Sequence, residues 1–364
     1  MATSFNPIAQ EGTGRRVAGA VRVFIIDDSN LVRAIYSRLV EAEPGLELAG
    51  AVGTAEEALA QIGSLNVQVI LLDLEMPGMG GMRALPEILK RAGAAKVMVV
   101  SSLTSEGAEH TVKALSLGAA DTLQKPDPGG FDTAYKQDLV QRIRALGRRP
   151  LRRDAGTVAQ QPPIAVRHGS LSNGVKVVAI GASTGGIHAT SLLLGALPPR
   201  IGVPILITQH LPTVFSDSYA RQLQDMSGHP VQVARDGLVI AADGIYLAPG
   251  DAHLCLRKGV DGPEVRLDRK PAASGCMPSV DPMFASLAQV YGAKALGVVL
   301  TGMGRDGTEG ARSMVDAGAN VIVQNEASSV VWGMPGSIAK AGLASAILHP
   351  HDLAARVVLC VANA

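Results

Sequence analysis

Val177-Val178-Ala179-Ile180-Gly181-Ala182-Ser183-Thr184-Gly185-Gly186 runs from an unbroken apolar segment straight into a glycine-rich turn. Two later strings do the same. Ile205-Leu206-Ile207-Thr208 leads into Gln209-His210-Leu211-Pro212, and Val298-Val299-Leu300-Thr301 leads into Gly302-Met303-Gly304-Arg305-Asp306-Gly307. Apolar runs without polar alternation read as parallel strands buried on both faces. A serine, a histidine and an aspartate then all fall where a parallel strand ends. Ligands of an open α/β sheet bind at that edge, and these three side chains are the minimal equipment for nucleophilic acyl transfer.

Each piece has a plainer reading. Gly181-Ala182-Ser183-Thr184-Gly185 fits the G-x-S-x-G turn that exposes a nucleophilic serine, but equally a phosphate loop or a tight turn. His210 competes with His188, on the helix after the serine, and with His253 in APGDAHL; neither directly ends a strongly apolar strand. Asp306 in a glycine-rich turn is by default a helix N-cap. Gly302-Met303-Gly304-Arg305-Asp306-Gly307 also fits G-x-G-x-x-G, with Glu326 beyond the next strand where a ribose-binding acid would stand. Against that dinucleotide reading, Asp306 would repel a pyrophosphate, and too little chain follows to complete such a domain.

Residues 21–146 show strand–helix alternation, with VRVFII, LELAGAV, VQVILL, KVMVVS and DTLQ as five strands. NLVRAIYSRLVEA reads as a helix with Leu31, Ile35 and Leu39 on one face. Such alternation predicts a doubly wound parallel sheet with right-handed crossovers. Asp27 and Asp28 close the first strand, Asp73 the third, Ser101 or Ser102 the fourth and Lys125 the fifth. Three carboxylates at one edge repel one another unless a hard cation such as Mg²⁺ sits among them. The central one is then a candidate phosphoryl acceptor, with Lys125 and the cation offsetting charge on the phosphoryl oxygens.

The whole chain of 364 residues is long enough for about two to three domains. Its net charge of +1 suggests neither a nucleic-acid nor a polyanion partner. Cys255, Cys276 and Cys360 show neither disulfide nor metal-ligand spacing and read as reduced thiols. No apolar run reaches the roughly 18 residues that span a bilayer, and the start lacks a signal pattern, so a soluble cytoplasmic protein without membrane insertion is expected. Residues 1–19 read as a flexible leader, 20–146 as the first domain and 147–174, with five arginines against one aspartate, as a partly disordered linker. Residues 175–364 form the second domain.

The strings Ile26-Asp27-Asp28-Ser29, Leu72-Asp73-Leu74-Glu75-Met76-Pro77, Ser101-Ser102-Leu103-Thr104 and Lys125-Pro126 resemble the receiver domain of bacterial response regulators. The resemblance implies that Asp73 takes a phosphoryl group from a histidine kinase while Asp27, Asp28 and Asp73 hold Mg²⁺. It also implies that Lys125 contacts the phosphoryl group and that the fourth-strand hydroxyl, here assigned to Ser101, reports it. Gly80 departs from the aspartate frequent there, away from the phosphate. AIGASTGG, TQHLP, DGIYLAPGDAHL, SVDPMFAS, TGMGRDG and VVWGMP are similar, in order, to the catalytic domain of chemotaxis protein-glutamate methylesterases. That resemblance implies an N-terminal (βα)5 receiver joined to a doubly wound, mostly parallel α/β esterase domain. The implied activity is hydrolysis of glutamate γ-methyl esters on chemoreceptor cytoplasmic helices, with deamidation of receptor glutamines. Ser183, His210 and Asp306 match the family triad, and Thr184 and Met303 fall where the family offers backbone donors. No cofactor is expected for the esterase itself. Arg305 and Trp332 replace the more usual Asn or Ala and Tyr, which bears on substrate preference.

The receiver counts 12 Lys and Arg against 16 Asp and Glu. An acidic receiver packing over the esterase mouth until Asp73 is phosphorylated is the expected switch. Two other readings stay open: a signalling adaptor whose second domain only binds a partner, and an esterase acting on a receptor outside chemotaxis.

Overall fold

The computed structural model describes residues 19–102, 104–126, 130–148, 167 and 174–362. The leader and nearly all of the linker lie outside the described residues.

The first sheet is built by β1 (Val21–Ile26), β2 (Leu46–Val52), β3 (Val69–Asp73), β4 (Lys96–Ser101) and β5 (Asp121–Gln124). Its order is β2-β1-β3-β4-β5 and every pairing is parallel. Helices α1 (Asn30–Ala42), α2 (Ala55–Gln61), α3 (Gly80–Arg91), α4 (Ser105–Ser116) and α5 (Thr133–Gly147) alternate with the strands. The third strand begins two residues later than its apolar run, because Gln68 turns its side chain to accept the Arg22 amide at 2.8 Å. Of the α1 face read from the sequence, Leu39 packs on the core while Leu31 is 70% exposed, and the fully buried residues of the helix are Tyr36 and Val40. Tyr36 anchors that face through a hydroxyl bond of 2.7 Å to Tyr135 and an edge-on contact with Phe131.

The second sheet has order β14-β13-β12-β6-β7-β9-β8, again parallel throughout. Its strands are β6 (Val177–Ala182), β7 (Ile205–Gln209), β8 (Val231–Val233), β9 (Ile245–Leu247), β12 (Ala295–Val299), β13 (Asn320–Gln324) and β14 (Ala346–Leu348). A separate antiparallel hairpin, β10 (His253–Lys258) with β11 (Pro263–Asp268), flanks it. The helices are α6 (Gly186–Gly195), α7 (Ser216–Ser227), α8 (Val280–Tyr291), α9 (Thr308–Asp316), α10 (Met334–Lys340) and α11 (Pro350–Ala362). All residues of β6, β7, β12 and β13 are buried, as double-sided cover requires. The chain leaves β6 toward β7 on one side and returns to β12 on the other. The resulting crevice at the carboxyl ends is where such sheets bind ligands.

The two sheets meet through the receiver's α4–β5 side, with α4 against α6 and α7. Gly185 N–H donates to Ala120 O at 2.7 Å, and Thr184 Oγ1 to Asp121 Oδ2 at 2.9 Å in a buried bond. His188 Nδ1 lies 2.9 Å from Ser116 O, and Arg221 pairs with Glu109 at 2.7 Å on the exposed rim.

Candidate active site and phosphoacceptor site

In the first sheet the five predicted positions come together, four of them around one point. Asp27 is buried and Asp28 exposed just beyond β1, and Asp73 is the last residue of β3. Their carboxylates lie within 4.8 Å of one another. Lys125 Nζ sits 2.5 Å from Asp73 Oδ2 and 3.2 Å from Asp27 Oδ2. Burial, helped by the neighbouring Asp27 charge, pushes Asp73 up to about 6, while Lys125 and the Glu75 amide pull the other way. The buried Asp27 Oδ2 accepts no hydrogen bond among the described residues and has the Lys125 ammonium as its ion-pair partner. Three carboxylates this close, served by one lysine, fit a hard, oxygen-seeking dication such as Mg²⁺. Ser101, however, is turned away: its hydroxyl bonds Thr111 at 2.7 Å inside α4. Ser102 reaches Glu75 at 2.8 Å.

In the second sheet, Ser183 follows β6, His210 follows the adjacent β7, and Asp306 lies in the β12–α9 loop on the other side of β6. His210 Nε2 stands 2.7 Å from Asp306 Oδ2. The Asp306 carboxylate is fully engaged, accepting Ser279 Oγ at 2.6 Å, Val280 N–H at 2.7 Å and Asp281 N–H at 3.4 Å. It therefore caps the N-terminus of α8, a helix that begins 26 residues upstream and whose own Ser279 makes no cap bond to the helix. Amides and the positive helix end favour the anion. Burial works against the Asp306 charge, yet His210, Ser279 and Val280 outweigh it and hold the carboxyl well below its ordinary range. Burial likewise disfavours imidazolium at His210, but Asp306 and the neighbouring Cys276 prevail and raise it to about 9.

Ser183 and His210 line one cavity of about 470 Å³, together with Gln209 and the receiver residues Asp121, Tyr135 and Arg142. No hydrogen bond joins Ser183 Oγ to His210 among the described residues; apo catalytic bonds are often open in this way. Positive φ falls on Gly185 (75°) and not on Ser183, so the strained serine of the G-x-S-x-G elbow is absent. Gly302 packs so close that an added Cβ would lie 2.8 Å from Ser183 Cβ. Thr184 is buried beside the serine, whereas Met303, after Gly302, lines a second cavity against α5 and not the one that holds Ser183 and His210.

The rival side chains have other work. His188 faces the receiver. His253 is buried between Ser279 N–H, 2.9 Å from Nδ1, and Lys270 O, 2.8 Å from Nε2, so it holds a loop. Asp306 of the Gly302–Gly307 turn is committed to His210 and the start of α8, a buried carboxylate beside the turn that opposes a pyrophosphate there. Trp332 donates Nε1–H to Gln324 O and braces the loop beside Gly302, while Arg305 is exposed. Sequence reasoning missed Ser279, Asp121 and Cys276. Only Ser279 carried a local signal, its place before a helix.

The CheB methylesterase family matches residues 178–357 and the response regulator receiver domain matches residues 23–134. The protein-glutamate methylesterase/protein-glutamine glutaminase 1 of Rhodospirillum rubrum is 38% identical over 96% of this chain and 97% of its own. This chain belongs to the CheB methylesterase family. The corresponding protein 2 of Caulobacter vibrioides is 41% identical over 90% of this chain and 95% of its own. Among solved structures, the Thermotoga maritima CheB methylesterase catalytic domain is 34% identical, covering 50% of this chain and 97% of its own, with a TM-score of 0.49. By the two family matches, the fold is a receiver followed by a CheB catalytic domain. None of the helices described is long and apolar enough to cross a membrane.

Proposed function

We propose that this CheB family member is a phosphorylation-gated protein-glutamate methylesterase of the cytoplasm, acting on glutamate γ-methyl esters of chemoreceptor helices and deamidating receptor glutamines. The 2.7 Å His210–Asp306 bond at the mouth of a cavity shared with Ser183 carries this reading. Ser183 Oγ attacks the ester carbonyl carbon and passes its proton to His210. Since Asp306 occupies Nε2, that proton goes to Nδ1. The negative charge on the carbonyl oxygen falls to backbone amides of Thr184 and Met303, donors worth roughly 3–4 kcal/mol each. His210 then protonates the departing methoxide, methanol leaves, and water cleaves the acyl-enzyme by the same path. An amide substrate releases ammonia in the first step instead.

In this reading the receiver, residues 20–146, is the gate and residues 175–364 are the enzyme. Asp73 is the phosphoacceptor for a histidine kinase; Asp27, Asp28 and Asp73 would hold Mg²⁺, which offsets phosphoryl charge when bound. Lys125 contacts the phosphoryl oxygens, and Ser101 gives up Thr111 to reach them. In the resting arrangement, Ala120 and Asp121 occupy Gly185 N–H and Thr184 Oγ1, the polar groups next to the nucleophile. Methanol release from methylated receptor cytoplasmic fragments, before and after Mg²⁺ with a small phosphodonor, tests the whole reading. A rise lost in Asp73→Asn is the expected result. No methanol from a receiver shown to be phosphorylated overturns it and leaves an adaptor.

A further inference from the structure

One thiol stands apart from the other two. Cys255 and Cys360 are buried in the core, whereas Cys276 is half-buried on the loop before α8, between exposed Gly275 and Met277. Its sulfur, a ring nitrogen of His210 and a carboxylate oxygen of Asp306 all lie within 4.8 Å of one another. Tetrahedral Zn²⁺ bonds of about 2.0–2.3 Å to N, O and S place ligand atoms about 3.4–3.6 Å apart. His210 and Asp306, at 2.7 Å, need to part slightly, and Cys276 needs to close by no more than about an ångström. Cys276 has room to do so. Its backbone is tied by one long bond, 3.3 Å from N–H to Ser274 Oγ, and its sulfur by a 3.9 Å contact to Ser274 O. Ser279 Oγ and Val280 N–H already orient the carboxylate, the supporting layer that such sites require. Imidazole, thiolate and carboxylate together suit Zn²⁺ and Co²⁺ far better than Mg²⁺.

We propose that His210, Cys276 and Asp306 form a three-ligand site for a thiophilic divalent cation, Zn²⁺ or Co²⁺, with its fourth position open toward the cavity. A dication on Nε2 takes the place of the Asp306 hydrogen bond and strips Nδ1 of its basicity toward Ser183, so the cation is an inhibitor of the esterase and not its cofactor. A metal entering from the Cys276 side need not pass the receiver, because the cavity wall shared with the receiver includes His210 but not Cys276. The inhibitory consequence rests on the methylesterase reading; the binding itself does not.

The test uses the full chain, metal-free and reduced, with excess Mg²⁺ to fill the acidic cluster of the receiver. Co²⁺ is titrated first and followed by its thiolate-to-metal absorption, then displaced by Zn²⁺. One Co²⁺ per chain with a thiolate band is expected, with at least tenfold weaker binding in Cys276→Ser and in His210→Gln. Cys255→Ser keeps the wild-type affinity. Zn²⁺ is then titrated into the methanol-release assay of the phosphorylated parent, Cys276→Ser and Cys255→Ser, each scaled to its own metal-free rate, and a chelator restores the rate. No thiolate band, or equal Co²⁺ affinity in Cys276→Ser and wild type, overturns the site. A band with full affinity but no ester hydrolysis by metal-free protein whose receiver is shown to be phosphorylated preserves the site and removes the esterase reading.

Discussion

Replacing Asp121 with alanine should switch the esterase on without phosphorylation. In the resting structure Asp121 Oδ2 accepts the buried Thr184 hydroxyl at 2.9 Å. A hydrogen bond to a charged group contributes about 1.5–3 kcal/mol. When the receiver lifts away, water takes over both partners, so the loss falls on the closed state alone. At about 2 kcal/mol the closed-to-open ratio drops roughly 30-fold. Arg142, which also pairs with Asp121 at 3.1 Å, retains Asp138 at 2.9 Å, so no bare cation is left inside the receiver. Methanol release by unphosphorylated Asp121→Ala should rise about 30-fold, capped by the rate of the isolated fragment 175–364, with a melting temperature near that of the parent. If the fragment is fast and Asp121→Ala stays at the resting rate, the bond does not hold the gate and the reasoning is wrong.

Other perturbations follow from the same geometry. Ser183→Ala should abolish turnover while leaving the melting curve in place; a rate near that of the parent would remove the serine from the mechanism. Gly302→Ala would press a Cβ against Met334 Sδ and, at 2.8 Å, against Ser183 Cβ; the methionine end can swing aside but the serine must shift, and that misplacement should lower kcat by up to about 100-fold with little change in KM. With His210 held at about 9, the unphosphorylated enzyme should gain kcat/KM as pH rises toward 9, and Cys276→Ala should move that limb to lower pH. The stability consequence has the opposite slope. The folded pKa lies above the unfolded value near 6.5, so the stabilisation is full below about pH 6.5 and is lost as pH climbs through about 9. Denaturant midpoints that stay flat over that window would contradict the His210 assignment.

Much of this molecule was legible because parallel sheets announce themselves twice. Val-Val-Ala-Ile and its counterparts had to be buried on both faces, and the residue after each such run had to emerge at the carboxyl edge. That rule alone brought Asp27, Asp73 and Lys125 together, and placed Ser183 beside His210. It could not place what arrives from outside a strand end. Ser279 lies 27 residues before the carboxylate it serves, and its own position advertises only a helix start. Asp121 opens β5 at the far end of the strand from Lys125, and its meeting with Thr184 depends on how two sheets dock, for which no local pattern exists. Cys276 failed the test of ligand spacing because its partners are 66 and 30 residues away in sequence. The α1 face was legible only in part: Leu39 packs on the core, but Tyr36, whose hydroxyl meets that of Tyr135, is a buried residue that the periodicity of apolar residues does not register.

The bond from Gly185 N–H to Ala120 O runs main chain to main chain. No exchange of one side chain for another deletes either group, save proline at position 185; any other side chain there would meet Val330 on a backbone held at φ 75° and can only displace the contact. Random point mutation therefore weakens the gate at its polar flanks, Asp121, Glu109 or Arg221, more readily than at its centre. A screen for variants that escape the need for phosphorylation should gather hits around this contact and almost none on it. Some resting inhibition should survive in every single-site escape mutant, and only an insertion, a deletion or a severed linker should release the enzyme completely.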